Sequence, residues 1–354
     1  MNNGLLTRPS LWQRYRWVLL AAVAMTLFPF VVAIIDGQSP AAVLNNDIGN
    51  ARFMQGLMIE IFYLALFAIS YDLVLGITGL LSFGHAMFFA MGAYATGVAL
   101  KTFEWDLGLT LILVLILAIL QALLFAVVLP RVKGITFALV TLGFASVFAI
   151  IIQSTELSEW LGAEIGLQGV DVPAWIDTST QRFRFYILGL LLVVVVYVLY
   201  RALVNSPTGK VLIAIRENED RALMLGYNTF WFKLIALVVA SITASFAGMM
   251  YTLHQPIVSP TVAGLFWTVA ALLMILIGGI GTLTGAIVGA ATFRLLEFYL
   301  DKWFGGAAAM ILGIAYIGIV LFLPFGIVGT WRAKKPQMKE GWDHLTSRAK
   351  KAAE

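Results

Sequence analysis

The sequence predicts an all-α integral membrane protein with about ten transmembrane helices, Gly-rich broken hairpins and a short cytoplasmic helix. Three observations predict it. Apolar residues make up 61% of the chain and charged residues 12%, and the mean hydropathy is +0.92, outside the range of soluble domains. Leu107 to Pro130 and Ala307 to Trp331 carry no charge, and each exceeds the ~20 apolar residues needed to cross a bilayer core. The third observation is where Lys and Arg fall. A soluble protein with buried helices would instead show shorter runs interrupted by polar faces.

The apolar segments are taken in chain order. Arg14, Tyr15 and Arg16 precede the run 17–35, which is long for a signal peptide and is followed by no small-x-small cleavage site, so it reads as an uncleaved first span. After a polar stretch the pattern continues at 54–76, 82–100, 108–130 and 135–152, the last two separated by Arg131 and Lys133. A long connection, 153–181, carries Glu156, Glu159, Glu164, Asp171 and Asp177 and no Lys or Arg. It reads either as a solvated loop or as a docking surface outside the cell membrane. Further runs lie at 183–204, 230–252, 265–280, 285–300 and 306–328.

With the N-terminus in the cytoplasm, the inside segments hold 17 of the 23 Lys and Arg residues. These are Arg8, Arg14, Arg16, Arg131, Lys133, Arg201, Lys210, Arg216, Arg221, Lys233, Arg332, Lys334, Lys335, Lys339, Arg348, Lys350 and Lys351. Only Arg52, Lys101, Arg182, Arg184, Arg294 and Lys302 fall outside or near the outer edge. This is the asymmetry of the positive-inside rule, and an even span count puts both termini in the cytoplasm. The chain then divides into a cytoplasmic N-terminus (1–16), a transmembrane domain (17–330) and a basic cytoplasmic tail (331–354). Topology therefore accounts for the net charge of +4 without nucleic acid. There is no cysteine, which excludes disulfides, thiol chemistry and Cys-bound metal.

Two stretches break the plain pattern. "GITGLLSFGHAMFFAMGAYATG", Gly76 to Gly97, includes Ser82, Gly84, His85, Gly92 and Tyr94. "IGGIGTLTGAIVGA", Ile277 to Ala290, includes Gly278, Gly279, Gly281, Thr282, Thr284, Gly285 and Gly289. Small residues let helices approach closely in lipid. Glycine also permits unwound backbone, tolerated at membrane depth only under protein or beside a water-filled cavity. Short, Gly-interrupted segments in both halves of a chain point to a transport pathway, so these residues are the candidate pathway. No second His accompanies His85, so metal ligation has no support; a buried imidazole bonded to a carbonyl or hydroxyl is expected. Glu60, Asp72, Arg294 and Glu297 are the candidate ionisable residues for ion coupling, and Glu60 with Asp72 is the pair to consider for a proton relay.

The densest charge lies in "NSPTGKVLIAIRENEDRALMLGYN", Asn205 to Asn228. Ser206 and Pro207 suit a helix start and Gly226 a stop. The spacing predicts an amphipathic helix over 206–226 with Arg216–Asp220 and Glu217–Arg221 pairs four residues apart. Val211, Ile215, Ala222 and Leu225 give it an apolar face. Such a helix is either a solvated loop helix or a surface that engages a soluble partner.

"GLLSFGHAMFFAMGAY", "AIRENEDRALMLGYNTFWFKLIAL" and "IGGIGTLTGAIVGA", in that order, resemble the LivM-type permease of branched-chain amino acid ABC importers. The resemblance runs from about Ala65 to "LFLPFGIVGTW". It implies a second homologous permease, two cytoplasmic ATPase subunits and an extracytoplasmic binding protein, in the bacterial cytoplasmic (inner) membrane. ATP and Mg would be used by the ATPases, with no cofactor bound by this chain. It further implies that Arg216, Glu217, Asn218, Glu219, Asp220, Arg221, Ala222 and Gly226 belong to the coupling helix seated on an ATPase. Consistently, Gly209-Lys210 is followed by Val211 and forms no P-loop, and no enzymatic constellation assembles. The chain departs from the family at its extra N-terminal span, at Asp36 to Gln55 and at Phe325. A urea- or amide-importing permease shares nearly the same motifs. From another class, an ion-coupled secondary transporter would have to use the four ionisable residues named above.

Overall fold

The computed structural model describes residues 11–333, with side chains from Arg16 onward. Arg8, the Arg14 side chain and the basic residues from Lys334 on lie outside the described residues. The bounded α-helices follow in order: α1 Leu11–Ile35, α2 Pro40–Leu44, α3 Asn50–Tyr71, α4 Ala86–Lys101, α5 Leu107–Ala126, α6 Ile135–Gln153 and α7 Ser158–Leu161. Then come α8 Arg182–Asn205, α9 Pro207–Glu217, α10 Glu219–Met224, α11 Thr229–His254, α12 Leu265–Gly278, α13 Thr284–Phe304 and α14 Ala308–Phe322. Each predicted apolar segment falls on one of them. Seven helical segments are long and apolar enough to cross a membrane, the last of which, Thr284–Ala333, contains both α13 and α14. The apolar helices α4 and α12 are shorter.

α3 is the central post, buried almost continuously from Gln55 to Tyr71. The helices α1, α8, α11, α12 and α13 pack around it, and α4 packs on α11 and α5. Lipid supplies no hydrophobic drive for this, so close approach and polar contacts take over. A Cβ on Gly92 would lie 1.9 Å from the Ser245 carbonyl oxygen, and one on Gly248 would lie 1.9 Å from that of Phe89. Hydroxyls add cross-helix bonds: Ser245 donates to Phe88 O (2.9 Å), Thr252 to Ala93 O (3.0 Å) and Ser241 to Ala118 O (2.7 Å). On the perimeter α1, α5, α6, α8 and α14 expose Leu20, Ile34, Leu120, Ile150, Leu199 and Phe322, the surface that hydrocarbon covers.

Call the end holding Thr78, Glu217 and Arg332 inner, after the side that the Lys and Arg distribution assigns to it. At the outer end Leu167–Gln168 pairs antiparallel with Ile257–Val258, and Lys101 Nζ donates to Gln168 O (2.7 Å). The acidic connection is thereby tied down rather than loose.

The short α4 has a specific cause. The chain leaves α3 through a π-helical turn, Asp72–Ile77, reverses at Gly79, and returns alongside α3 without helical structure. Tyr71 Oη donates to Ser82 O (3.0 Å), so that return runs at membrane depth. Side chains of neighbouring helices satisfy its backbone: Phe83 N donates to Thr141 Oγ1 (3.2 Å) and Ala86 N to Thr268 Oγ1 (2.9 Å). Unwound backbone is thus covered by protein, as it must be in lipid.

The predicted single helix over 206–226 is two helices. Ser206 caps α9 through Gly209 N, with Pro207 in the first turn, as expected. At Asn218, however, the backbone is extended (φ −162°, ψ 104°) and its side chain accepts from Arg221 N (2.9 Å), starting α10. Gly226 (φ +86°) follows the end of α10, as expected. The break removes both predicted charge pairs by taking Asp220 and Arg221 off the α9 axis. Val211, Ile215 and Ala222 still pack on Phe232, whereas Leu225 turns out and is 72% exposed. Asn218→Ala should weaken α10 by about 1 kcal/mol, the usual cost of a lost N-cap. Faster amide exchange at residues 219–224, with the spans unchanged, is the expected observation.

Candidate functional site

The three quoted motifs converge at the inner end of α3. A π turn leaves backbone groups out of the regular ladder and often marks functional places; here it presents the Gly76 carbonyl. Arg216, the last basic residue of α9, donates from Nη1 to that carbonyl. The same turn carries Asp72, whose Oδ1 accepts from Gly281 N at 2.6 Å. Asp72 is fully buried, and its Oδ2 has no hydrogen-bond partner among the described residues. Gly281 is at φ +74°, a conformation that a side chain would strain. Gly76 is needed for closeness instead: a Cβ there would stand 2.0 Å from Asp72 Oδ1 and 2.6 Å from Gly281 N. One carboxylate, one guanidinium and two glycines therefore join the first hairpin, the second hairpin and the charged segment.

The other charges of the segment find partners outside it. Glu219 accepts from Lys233 and from Thr229 Oγ1 (2.9 Å), which fixes α10 to α11. Asp220 meets Lys133 at 2.9 Å with both side chains largely exposed; the hydrogen bond to Asp220, then its charge, holds the Lys133 ammonium above the ordinary lysine value. Glu217 and Arg221 have no side-chain partner among the described residues. Beside them Met224 and Leu225 are 87% and 72% exposed.

The candidate pathway residues separate into two groups. Ser82, Gly84, His85, Gly92 and Tyr94 sit in the packed interior. Ser82 and His85 are fully buried, a Cβ on Gly84 would lie 2.2 Å from Thr141 O, and Tyr94 Oη donates to Val258 O (3.4 Å). Ser70 Oγ lies 2.6 Å from Phe67 O and 2.8 Å from His85 Nε2, which gives His85 the hydroxyl partner expected for it. Phe67, Tyr71 and Phe88 surround the ring. The second group belongs to α12, α13 and their connection. Gly278 faces the Gly285 backbone, where a Cβ would lie 1.8 Å from the carbonyl oxygen. Thr282 donates to Gly279 O (2.6 Å), and Thr284 accepts from Arg332 Nη2 (2.8 Å). Gly281, Thr282 and Thr284 line the inner part of a groove of about 990 Å³ that runs between α1, α3, α8 and α13.

The family model for the branched-chain amino acid transport system permease component matches residues 53–328. The chain belongs to this family. It is similar to the high-affinity branched-chain amino acid transport system permease protein LivM of Salmonella typhimurium, 27% identical over 295 residues, which is 76% of this chain and 67% of that one. It is similar to the probable LivM permease of Methanocaldococcus jannaschii, 24% identical over 206 residues, covering 54% of this chain and 60% of the other. The permease protein LivH of Escherichia coli is 23% identical over 293 residues, 77% of this chain and 92% of LivH. No solved structure matches.

In this permease the matched region begins as α3 begins, leaving α1 and the polar stretch after it outside. Of the four ionisable candidates, Glu60, Arg294 and Glu297 form one network and Asp72 stands apart from it. Glu60 accepts from Arg294 Nε, and Arg294 Nη1 also donates to Glu297 (2.9 Å). Asp72 lies twelve residues farther along α3, ~18 Å at 1.5 Å per residue, with its own partners. Sequence reasoning missed Thr141 and Thr268, whose hydroxyls accept from the backbone of the first hairpin, and Ser70, whose hydroxyl meets the His85 ring. Their signal is a lone hydroxyl in an apolar run, too common to single out.

Proposed function

We propose that this chain is one permease half of a heterodimeric ABC importer that carries a branched-chain amino acid inward, driven by ATP hydrolysed in separate subunits. The relatives named LivM and LivH support pairing with a second, homologous permease. An extracytoplasmic binding protein would deliver substrate, and two cytoplasmic ATPases would use ATP and Mg. The membrane is the cytoplasmic (inner) membrane, with both termini in the cytoplasm. Segment 206–226 is the coupling element, and the two Gly-rich hairpins shape the path.

The observation that carries this reading is the junction of Arg216 with Gly76 and of Asp72 with Gly281. An ATPase moving α9 and α10 would pull on the Gly76 carbonyl through Arg216. The π turn is the compliant place in α3, and Asp72 passes the displacement to the second hairpin. Docking falls to the outward surface: Glu217 and Arg221 have no side-chain partner among the described residues, and Met224 and Leu225 are exposed apolar anchors of the kind that fill a groove.

The test is co-purification from cells expressing the whole importer. The wild-type chain should bring down both ATPase subunits. A Met224→Glu, Leu225→Glu double variant should insert normally and lose them, since both side chains are exposed and their removal costs the fold little. Retention of the ATPases by the double variant, or their absence with wild type, contradicts the reading.

A further inference from the structure

We propose that a cavity at the outer end, between α3, α8, α11 and α13, holds a free α-amino acid with an apolar side chain, its carboxylate on Arg182 and its ammonium on Glu60. The assignment rests on the import reading above and names where that substrate is held within the chain.

The cavity measures about 240 Å³. Phe53, Gly56, Leu57 and Glu60 line it from one face of α3, at the three- and four-residue spacing that stacks side chains along a helix. Arg182 Nη1 donates to Arg52 O (3.1 Å) and Nε to Thr178 O (3.2 Å), leaving Nη2 without a partner among the described residues. Its guanidinium stands 3.6 Å from where a Cβ on Gly56 would lie, one turn of α3, ~6 Å, above Glu60. Glu60 gives one carboxylate oxygen to Arg294 and keeps the other. A positive group above and a negative group below thus face one space, with Phe53, Leu57 and Phe298 as apolar walls.

A structural ion pair accounts for only part of this. Glu60, Arg294 and Glu297 suffice to tie α3 to α13, and Arg182 takes no part in that network. Gly56 is also unlike Gly76, Gly92 and Gly289, where a Cβ would strike backbone or a buried carboxylate. At Gly56 it meets only the Arg182 terminus at ordinary contact distance, so packing does not require the glycine and its effect is to leave space. His254, whose buried Nδ1 has no partner among the described residues, lines the same cavity. Arg182, Arg294 and Glu60 line it, and Glu297 pairs with Arg294 beside it; a zwitterion enters without adding net charge, whereas an isolated ion would add one charge to a partly buried site.

The experiment measures equilibrium binding of radiolabelled L-leucine to the full chain, purified with its sister permease in lipid nanodiscs. Saturable binding is expected for wild type. Arg182→Ala and Glu60→Gln should each weaken it at least ~10-fold, as one lost charge-assisted hydrogen bond does. Gly56→Leu, which fills the cavity while keeping every charge, should abolish it, and it decides the matter should either charge variant fail to assemble. Leucinol, which lacks the carboxylate, should compete poorly on wild type and no worse on Arg182→Ala, a difference that a purely structural arginine would not produce. No saturable binding by wild type, or wild-type affinity in an assembled Gly56→Leu variant, overturns the proposal. Leucine uptake by the reconstituted importer tests the import reading separately: uptake without binding here rejects the cavity alone.

Discussion

Arg216→Ala is expected to reduce leucine import at least ~10-fold while the chain remains inserted and bound to its ATPases. The guanidinium supplies the direct side-chain link from α9 to the π turn, through Gly76 O. A hydrogen bond from a charged donor contributes about 1.5–3 kcal/mol, a small part of the stability of so large a helical assembly but all of this link. Docking should survive, because Glu217, Arg221, Met224 and Leu225 are untouched. Uptake assays alongside co-purification separate the two effects. Arg216→Lys should recover little, because an ammonium on a four-carbon stem does not reproduce the reach and fork of guanidinium.

The second large effect is expected at Gly76→Ala. A single methyl there would sit 2.0 Å from Asp72 Oδ1 and 2.6 Å from Gly281 N, closer than any van der Waals contact. Relief requires either opening the π turn or parting the two hairpins, and the second breaks the Asp72–Gly281 bond. Overpacking of this kind costs ~1–3 kcal/mol, and it leaves Asp72 buried with no donor at all, which costs more. Import should fall below detection, and the detergent-solubilised chain should unfold at a lower temperature than wild type. Gly56→Ala in the same helix is the control: its Cβ has room, so the unfolding temperature should stay at the wild-type value.

The helical architecture was legible because lipid imposes one rule, that a crossing must be long, apolar and internally hydrogen-bonded. The runs 108–130 and 135–152 could hardly read otherwise. Glycine punctuation likewise marked both broken hairpins. What stayed hidden depends on contacts distant in sequence. The pairs Arg216–Asp220 and Glu217–Arg221 assume an unbroken helix, and every residue from Arg216 to Ala222 is compatible with one. Asn218 nevertheless caps a new helix, because Glu219 then reaches Lys233 on α11. Asp72 could be seen as a costly buried carboxylate but not matched to the Gly281 amide, 209 positions away. Ser82, Gly84, His85, Gly92 and Tyr94 stood out as small or polar residues at membrane depth. That signature belongs equally to a path and to tight packing, and only coordinates place these five within the packed interior.

The most direct test of the central claim, that the inner junction transmits ATPase motion to the hairpins, is the number of leucine molecules imported per ATP hydrolysed. It is measured in proteoliposomes holding the complete importer with wild-type chain or Arg216→Ala. The account predicts a fixed ratio for wild type and, for the variant, continued hydrolysis with almost no import. An unchanged ratio in the variant, whatever its absolute rate, would contradict it.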